Sequence, residues 1–196
     1  MNSYPPIVLA SSSPRRQELL KNLGLPFTIQ VSDIDETVSP DLKPEEIVQT
    51  LSFQKAEVIT RNLSFGLVIG SDTIVVLDGQ VLGKPTDEQD AYRMLRALSG
   101  RMHQVFTGIA IIDVASGKAE VSYSSTYVTM EAMTDETIYS YIASGEPMDK
   151  AGSYAIQGLG ATLVQKIEGD YFTVVGLPLH LLAHMLTRFG VSLLNR

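Results

Sequence analysis

A chain of 196 residues, 44% hydrophobic and 19% charged, is long enough to bury a sizeable core and too apolar to stay disordered, so one folded domain is expected. The net charge of -7 sets a repulsive average field against nucleic acid, and the absence of cysteine removes disulfides, thiolate zinc sites and cysteine nucleophiles. No stretch approaches the roughly 20 apolar residues of a membrane span, and Met1 to Ala10 lacks a signal-peptide pattern. A cytoplasmic protein without nucleic-acid or membrane partners is expected, and any anionic ligand must be small and held by local charges.

Ile7 to Ala10 reads as a buried strand, and Pro14 to Leu23 as a helix with proline at its first position and Gly24 past its end. Phe27 to Val31 is the next strand. Pro44 to Arg61 has the clearest helical pattern and opens on Glu45 and Glu46, as the macrodipole prefers. Leu67 to Ile69 and Ile74 to Leu77 read as strands around a turn at Gly70-Ser71-Asp72, with an Asp78-Gly79 hairpin leading into Gln80 to Leu82. Thr86 with Gln89 resembles a capping box for a helix ending at Gly100. Val105 to Asp113 and Glu120 to Met130 are long strands joined at Ser116-Gly117. Thr134 to Ala143 is a helix, Thr162 to Ile167 and Phe172 to Val175 are strands, and Leu179 to Phe189 closes the chain as a helix. Long strands mixed with helices predict an α/β or α+β fold with a mixed β-sheet.

Five constellations carry chemistry. Ser11-Ser12-Ser13-Pro14-Arg15-Arg16 sits where a strand becomes a helix, and the first helical N–H groups there lack partners. Arg15 and Arg16 oppose the dipole by about 0.3 to 1 kcal/mol each, a penalty that a bound phosphate reverses. A Ser13 cap with two solvated arginines is the blander account. Lys55 falls inside the apolar arc of its helix, between Leu51 and Ile59, where it either snorkels to the edge or aims a compact cation at phosphate oxygens.

Counting down the Asp78-Gly79 ladder brings Thr73 opposite Lys84 and makes Asp72 a neighbour of Lys84. Asp72 is then either a general base or metal ligand, or half of a structural ion pair. Asp33, Asp35 and Glu36 form an acidic patch that suits a hard cation or is simply solvated. In the stretch 144–160, small residues permit close backbone approach, and Gln157 offers the donor and acceptor that reading a base edge requires. His180 and His184 lack the acidic residue of a metalloprotease motif, and the Walker A and dinucleotide fingerprints are missing.

Seven segments, ASSSPRRQELL, DIDET, SDTIV, GKP, LSGRMHQVFTG, GEPMDKAGSYAIQGLG and VVGLPL, together resemble the Maf family, in that family's order from Ala10 to Leu179. The resemblance implies a single bilobed domain over 1–196, similar to inosine triphosphate pyrophosphatases: an elongated mixed β-sheet with flanking helices and two lobes around a central cleft. It also implies hydrolysis of nucleoside triphosphates to monophosphate and pyrophosphate with a divalent cation, Mg²⁺ or Mn²⁺, and the homodimer seen as a family expectation. By motif position Asp72 matches the catalytic carboxylate. Ser11, Arg16, Lys55 and Lys84 match phosphate-handling positions, and Glu36 with Asp72 matches the metal positions. Arg15, Thr73 and Gln157 match the positions that separate subfamilies, and the combination looks like the branch acting on dTTP and UTP. A nucleotide-binding regulator of septum formation that does not hydrolyse is the alternative.

Overall fold

The computed structural model describes residues 4–39 and 41–194. β1 (Ile7–Ala10) is buried at all four positions and passes through Ser11–Ser13 into α1 (Pro14–Asn22). Gly24, with φ 66°, ends that helix and leads to β2 (Phe27–Ile29), two residues shorter than the sequence predicts. In α2 (Pro44–Thr60) the acidic first turn faces the positive end of the dipole, and the Glu46 carboxylate accepts the Lys43 N–H at 2.8 Å.

β3 (Leu67–Leu77) corrects the expected turn at Gly70-Ser71-Asp72, because all eleven residues form one strand. Gly70 serves a different need there: a Cβ on it would lie 2.1 Å from the Ser52 carbonyl oxygen and 2.9 Å from the Ala56 nitrogen. The glycine lets the α2 backbone settle directly on the strand. Asp78 and Gly79, at φ 51° and 78°, reverse the chain into β4 (Gln80–Leu82) with Leu77 opposite Gln80, as the hairpin signal predicts. α3 (Glu88–Leu98) starts one residue later than expected. Asp87, rather than Thr86, is its cap and accepts the Asp90 N–H at 2.7 Å, while the Asp90 carboxylate reaches back to the Thr86 N–H.

β5 (Met102–Asp113) and β6 (Ala119–Met130) are joined by a turn in which Gly117 has φ 72°. α4 (Asp135–Ala143) is capped by Thr134. Three short 3₁₀ segments follow, at Glu146–Asp149, Ala151–Ser153 and Gly158–Leu163, before β7 (Val164–Glu168). The predicted strand at Phe172–Val175 is instead a helix, α5 (Tyr171–Val175). The Asp170 carboxylate accepts both the N–H and the hydroxyl of Thr173 at 2.9 Å, and this cap outweighs the β-propensity of Phe-Thr-Val-Val. α6 (Leu179–Thr187) closes the described fold.

Seven strands form one mixed sheet in the order β2-β1-β3-β5-β6-β7, with β4 on β3; β1 is parallel to β2 and β3, and β4 and β7 pair antiparallel. The mixed sheet with flanking helices is the predicted fold class. By its internal contacts the chain forms two compact units, Met1–Asp72 with Thr107–Ser124 and Gly176–Arg196, and Thr73–Phe106 with Ser125–Val175. In the first unit, Ala56 and Ile59 of α2 pack on Val8, Ala10, Val68, Ala110 and Ile112. In the second, Ala91, Met94, Leu95 and Leu98 of α3 and Ile138, Tyr141 and Ile142 of α4 pack on strand residues that include Val75, Leu82, Val105 and Val128.

Candidate active site

β1 and β3 run parallel with Ala10 opposite Gly70, so the turn at Ser11 leaves β1 beside the Gly70–Asp72 stretch. Ligands of open α/β sheets gather at the carboxyl ends of such strands. Side chains alternate along a strand, so Gly70 and Asp72 share one face, and that face carries α2. The contact of Gly70 with Ser52 and Ala56 sets the height of the helix and brings Lys55 to Asp72: Nζ is 2.6 Å from Oδ1. A second glycine contact fixes the helix a turn earlier, since a Cβ on Gly108 would lie 2.2 Å from the Val48 carbonyl oxygen. Lys55 therefore does not snorkel to the surface. Its side chain is 12% exposed and that of Asp72 is 9%.

Lys55 Nζ also lies 2.7 Å from Glu36 Oε1, so one ammonium bridges two carboxylates. The predicted acidic patch contributes only Glu36 to this cluster. Asp35 turns to its own loop and accepts the Thr37 N–H and hydroxyl at 2.9 and 2.6 Å; these bonds hold its carboxyl below the ordinary range. Among the described residues no three His, Asp or Glu side chains converge as metal ligands. Two hard carboxylates directed at one cation still fit Mg²⁺ or Mn²⁺, which protein sites hold through one or two carboxylates plus waters and substrate phosphates. The ammonium marks the point where those carboxylates accept positive charge.

Ser13 makes no side-chain cap to α1, contrary to the expectation of a serine-capped helix, and the first turn holds no acidic residue. Buried Ser11 accepts the Ser13 N–H on its hydroxyl oxygen at 3.2 Å. Arg16 is anchored by its Nε, which donates to the Gly176 carbonyl at 2.7 Å, and the same carbonyl accepts the hydroxyl of fully buried Ser71 at 3.0 Å. Burial pulls the Arg16 guanidinium down from its ordinary pKa, Arg15 adds to that, and the charges of Asp72 and Glu36 oppose it. Arg15, Arg16, Lys55, Asp72 and Glu36 thus form one electrostatic cluster of three cations and two carboxylates within the first unit.

The remaining predicted residues belong to the second unit. Thr73 is half-buried on β3, directly after Asp72. The hairpin ladder holds over its three recorded pairs and ends at Leu82. Gly83 then turns its carbonyl to the Gly152 N–H at 3.0 Å, so exposed Lys84 follows a loop rather than a continued strand opposite Thr73. Gln157 is half-buried and extended, immediately before the 3₁₀ segment Gly158–Leu163.

The sequence profile of the family described as Maf-like protein matches residues 6–189. The chain belongs to the Maf family. Curated Maf relatives of similar length include a "dTTP/UTP pyrophosphatase" of Moorella thermoacetica, 52% identical over 190 residues and covering 97% of this chain and 98% of that protein. One of the same name from Desulforamulus reducens is 50% identical over 188 residues, covering 96% and 98%. Among solved structures, the Staphylococcus aureus Ham1 protein superposes with a TM-score of 0.50 at 17% identity, covering 81% of this chain and 79% of that one. That likeness speaks to the fold.

Several residues of this Maf chain escaped sequence reasoning. Ser71 reads as a turn serine, yet it is buried and shares the Gly176 carbonyl with Arg16. His103 is buried with its Nε2 2.7 Å from the Tyr154 hydroxyl; burial pushes the imidazole pKa down to about 4 and the Tyr154 phenol up. Glu146 accepts three hydrogen bonds, two of them from N–H groups 13 and 14 residues away, a pairing that no periodicity reveals.

Proposed function

We propose that this chain is a nucleoside triphosphate pyrophosphatase that converts dTTP and UTP to the monophosphate and pyrophosphate, with Asp72 as the proton acceptor. The observation that carries this reading is the gathering of Arg16 and Lys55, with Arg15 beside Arg16, about a buried carboxylate in a protein of net charge -7. Relatives of half-identical sequence that carry the name dTTP/UTP pyrophosphatase supply the substrate class.

Ser11, the α1 N-terminus and the guanidiniums of Arg15 and Arg16 bind and orient the triphosphate. Asp72, held by Lys55, takes a proton from a water molecule. That water forms the new bond to the α-phosphorus as the bond to the bridging oxygen breaks, and pyrophosphate leaves with the bonding electrons. The cations stabilise charge on the equatorial and departing oxygens; no side chain forms a covalent bond. Asp72 and Glu36 would hold the divalent cation, which supplies charge neutralisation to the triphosphate when bound. Thr73, Lys84 and Gln157 are assigned to substrate contact by motif position, Lys84 to phosphate and the other two to substrate choice. A cytoplasmic site of action and a homodimer belong to the same reading.

Incubation with UTP, dTTP, GTP and ATP plus Mg²⁺ or Mn²⁺, with pyrophosphate resolved from orthophosphate, tests the assignment. Pyrophosphate and a pyrimidine monophosphate in equal amounts are expected. Orthophosphate release, or binding of nucleotide with no product, would instead indicate another phosphatase chemistry or the non-hydrolytic regulator.

A further inference from the structure

The segment that carries Gln157 is tied to a single carboxylate. Glu146 Oε1 accepts the Tyr141 hydroxyl at 2.8 Å and the Gly160 N–H at 2.9 Å, and Oε2 accepts the Leu159 N–H at 2.9 Å. The Tyr141 hydroxyl in turn accepts the Ala155 N–H at 3.2 Å. The backbone on both sides of Gln157 is therefore fastened to one Glu146–Tyr141 pair. Two glycines make the approach feasible. A Cβ on Gly158, which has φ 66°, would lie 2.5 Å from Glu146 Oε2, and one on Gly160 would lie 2.3 Å from the Ala155 carbonyl oxygen and 2.5 Å from the Tyr141 hydroxyl.

The preceding residues are fixed as firmly. Gly152 and Ser153 both adopt positive φ, and Ser153, fully buried at φ 58°, is a conformation that side chains rarely adopt without support from the surrounding structure. Gly152 donates to the Gly83 carbonyl, and the Tyr154 hydroxyl is bonded to His103. Burial disfavours the Glu146 anion, but the Gly160 and Leu159 N–H groups, the Tyr141 hydroxyl and the charge of Lys150 more than offset it and hold the carboxyl below its ordinary range. An ionised carboxylate that accepts three donors fits a rigid scaffold rather than a proton carrier.

We propose that Glu146 is a positioning residue for base recognition, holding the 155–160 backbone so that Gln157 meets the pyrimidine edge in one fixed pose. The proposal rests on the assignment of Gln157 to substrate choice. Glutamine at 146 keeps one acceptor oxygen and turns an NH₂ toward backbone N–H or Tyr141 donors, so Glu146→Gln loosens the segment without changing its volume. Tyr141→Phe removes only the bridging hydroxyl and keeps the packing of the ring.

The test measures binding of UTP and of inorganic tripolyphosphate by calorimetry in an Asp72→Asn background that does not turn over, with thermal melts to confirm folding. Glu146→Gln is expected to weaken UTP about tenfold, the equivalent of one good hydrogen bond, and tripolyphosphate less than about twofold. Tyr141→Phe should shift UTP the same way by a smaller factor, which keeps the test decisive if the glutamine variant does not fold. In a Gln157→Ala background either substitution should add almost nothing. Equal weakening of both ligands, additive losses with Gln157→Ala, or unchanged UTP affinity would overturn the role of Glu146. A Gln157→Ala variant that binds UTP normally would overturn the assignment of Gln157, and the role of Glu146 with it.

Discussion

Lys55 Nζ and Asp72 Oδ1 lie 2.6 Å apart with both side chains nearly buried, and the contact joins the C-terminal half of α2 to the middle of β3. Lys55 has a second partner in Glu36, whose side chain is 56% exposed, and this makes the pair asymmetric. Replacing Asp72 by asparagine leaves the ammonium a carboxylate; replacing Lys55 by methionine leaves a buried carboxylate without its direct partner. Lys55→Met is therefore expected to cost about 2 kcal/mol of stability, below the full penalty for a wholly buried pair, and Asp72→Asn less than about 1 kcal/mol. Urea denaturation of the two variants beside the wild type checks the order.

Gly70 is the second structural determinant of the site. With a Cβ 2.1 Å from the Ser52 carbonyl oxygen, Gly70→Ala must push α2 off β3, and the obstacle is backbone that cannot rotate away. A loss of about 3 kcal/mol is expected, at the upper end of overpacking costs. Where the protein still folds, its turnover should fall more than about tenfold because Lys55 moves with the helix. Gly79→Ala is the control: its Cβ meets nothing within 4 Å, so only the positive φ is strained, and turnover should stay near wild type.

Arg16 uses its Nε on the Gly176 carbonyl, and a lysine cannot serve that anchor and a phosphate together. Arg16→Lys is expected to lower kcat/KM for UTP by about 100-fold, the scale for one preorganised electrostatic contact. The loss should shrink little at high salt, because the group is not exposed. Steady-state kinetics at two ionic strengths measures both effects.

His103 makes folding pH-dependent. The folded imidazole titrates near 4 and the unfolded one near 6.5, so between these values the unfolded chain binds a proton that the folded chain does not. The neutral-His contribution is complete above pH 6.5 and is lost as pH falls toward 4, by about 2 kcal/mol at pH 5. His103→Gln should be less stable than wild type at pH 8 and should show a flatter decline between pH 7 and pH 5. Denaturation curves at three pH values separate this slope from that of the carboxylates, which both proteins share.

The parts of the fold legible in the sequence are those set by local signals. Pro14 and Gly24 bracket α1, the acidic opening marks α2, and Asp78-Gly79 fixes a hairpin whose register holds over all three of its recorded pairs. The failures are of another kind. Gly70 reads as a turn because its reason for being glycine is a helix on the same face, some 15 residues earlier in sequence, and Phe172–Val175 reads as a strand because a single upstream carboxylate decides otherwise. The inward aim of Lys55 is visible in the helical period, but its partners are not. The Arg16 anchor spans 160 residues, and although Gly176 lies in the VVGLPL segment, no pattern in the sequence pairs it with Arg16.

The central claim is that Asp72 accepts the proton of the attacking water rather than serving as a structural partner of Lys55. Turnover of UTP by Asp72→Asn, measured alongside its UTP affinity and its melting temperature, tests this most directly. The asparagine keeps the shape of the side chain and leaves Lys55 paired with Glu36. Retained folding and nucleotide binding are expected with turnover reduced at least about 1,000-fold. Turnover near the wild-type rate in a folded, nucleotide-binding variant would contradict the assignment.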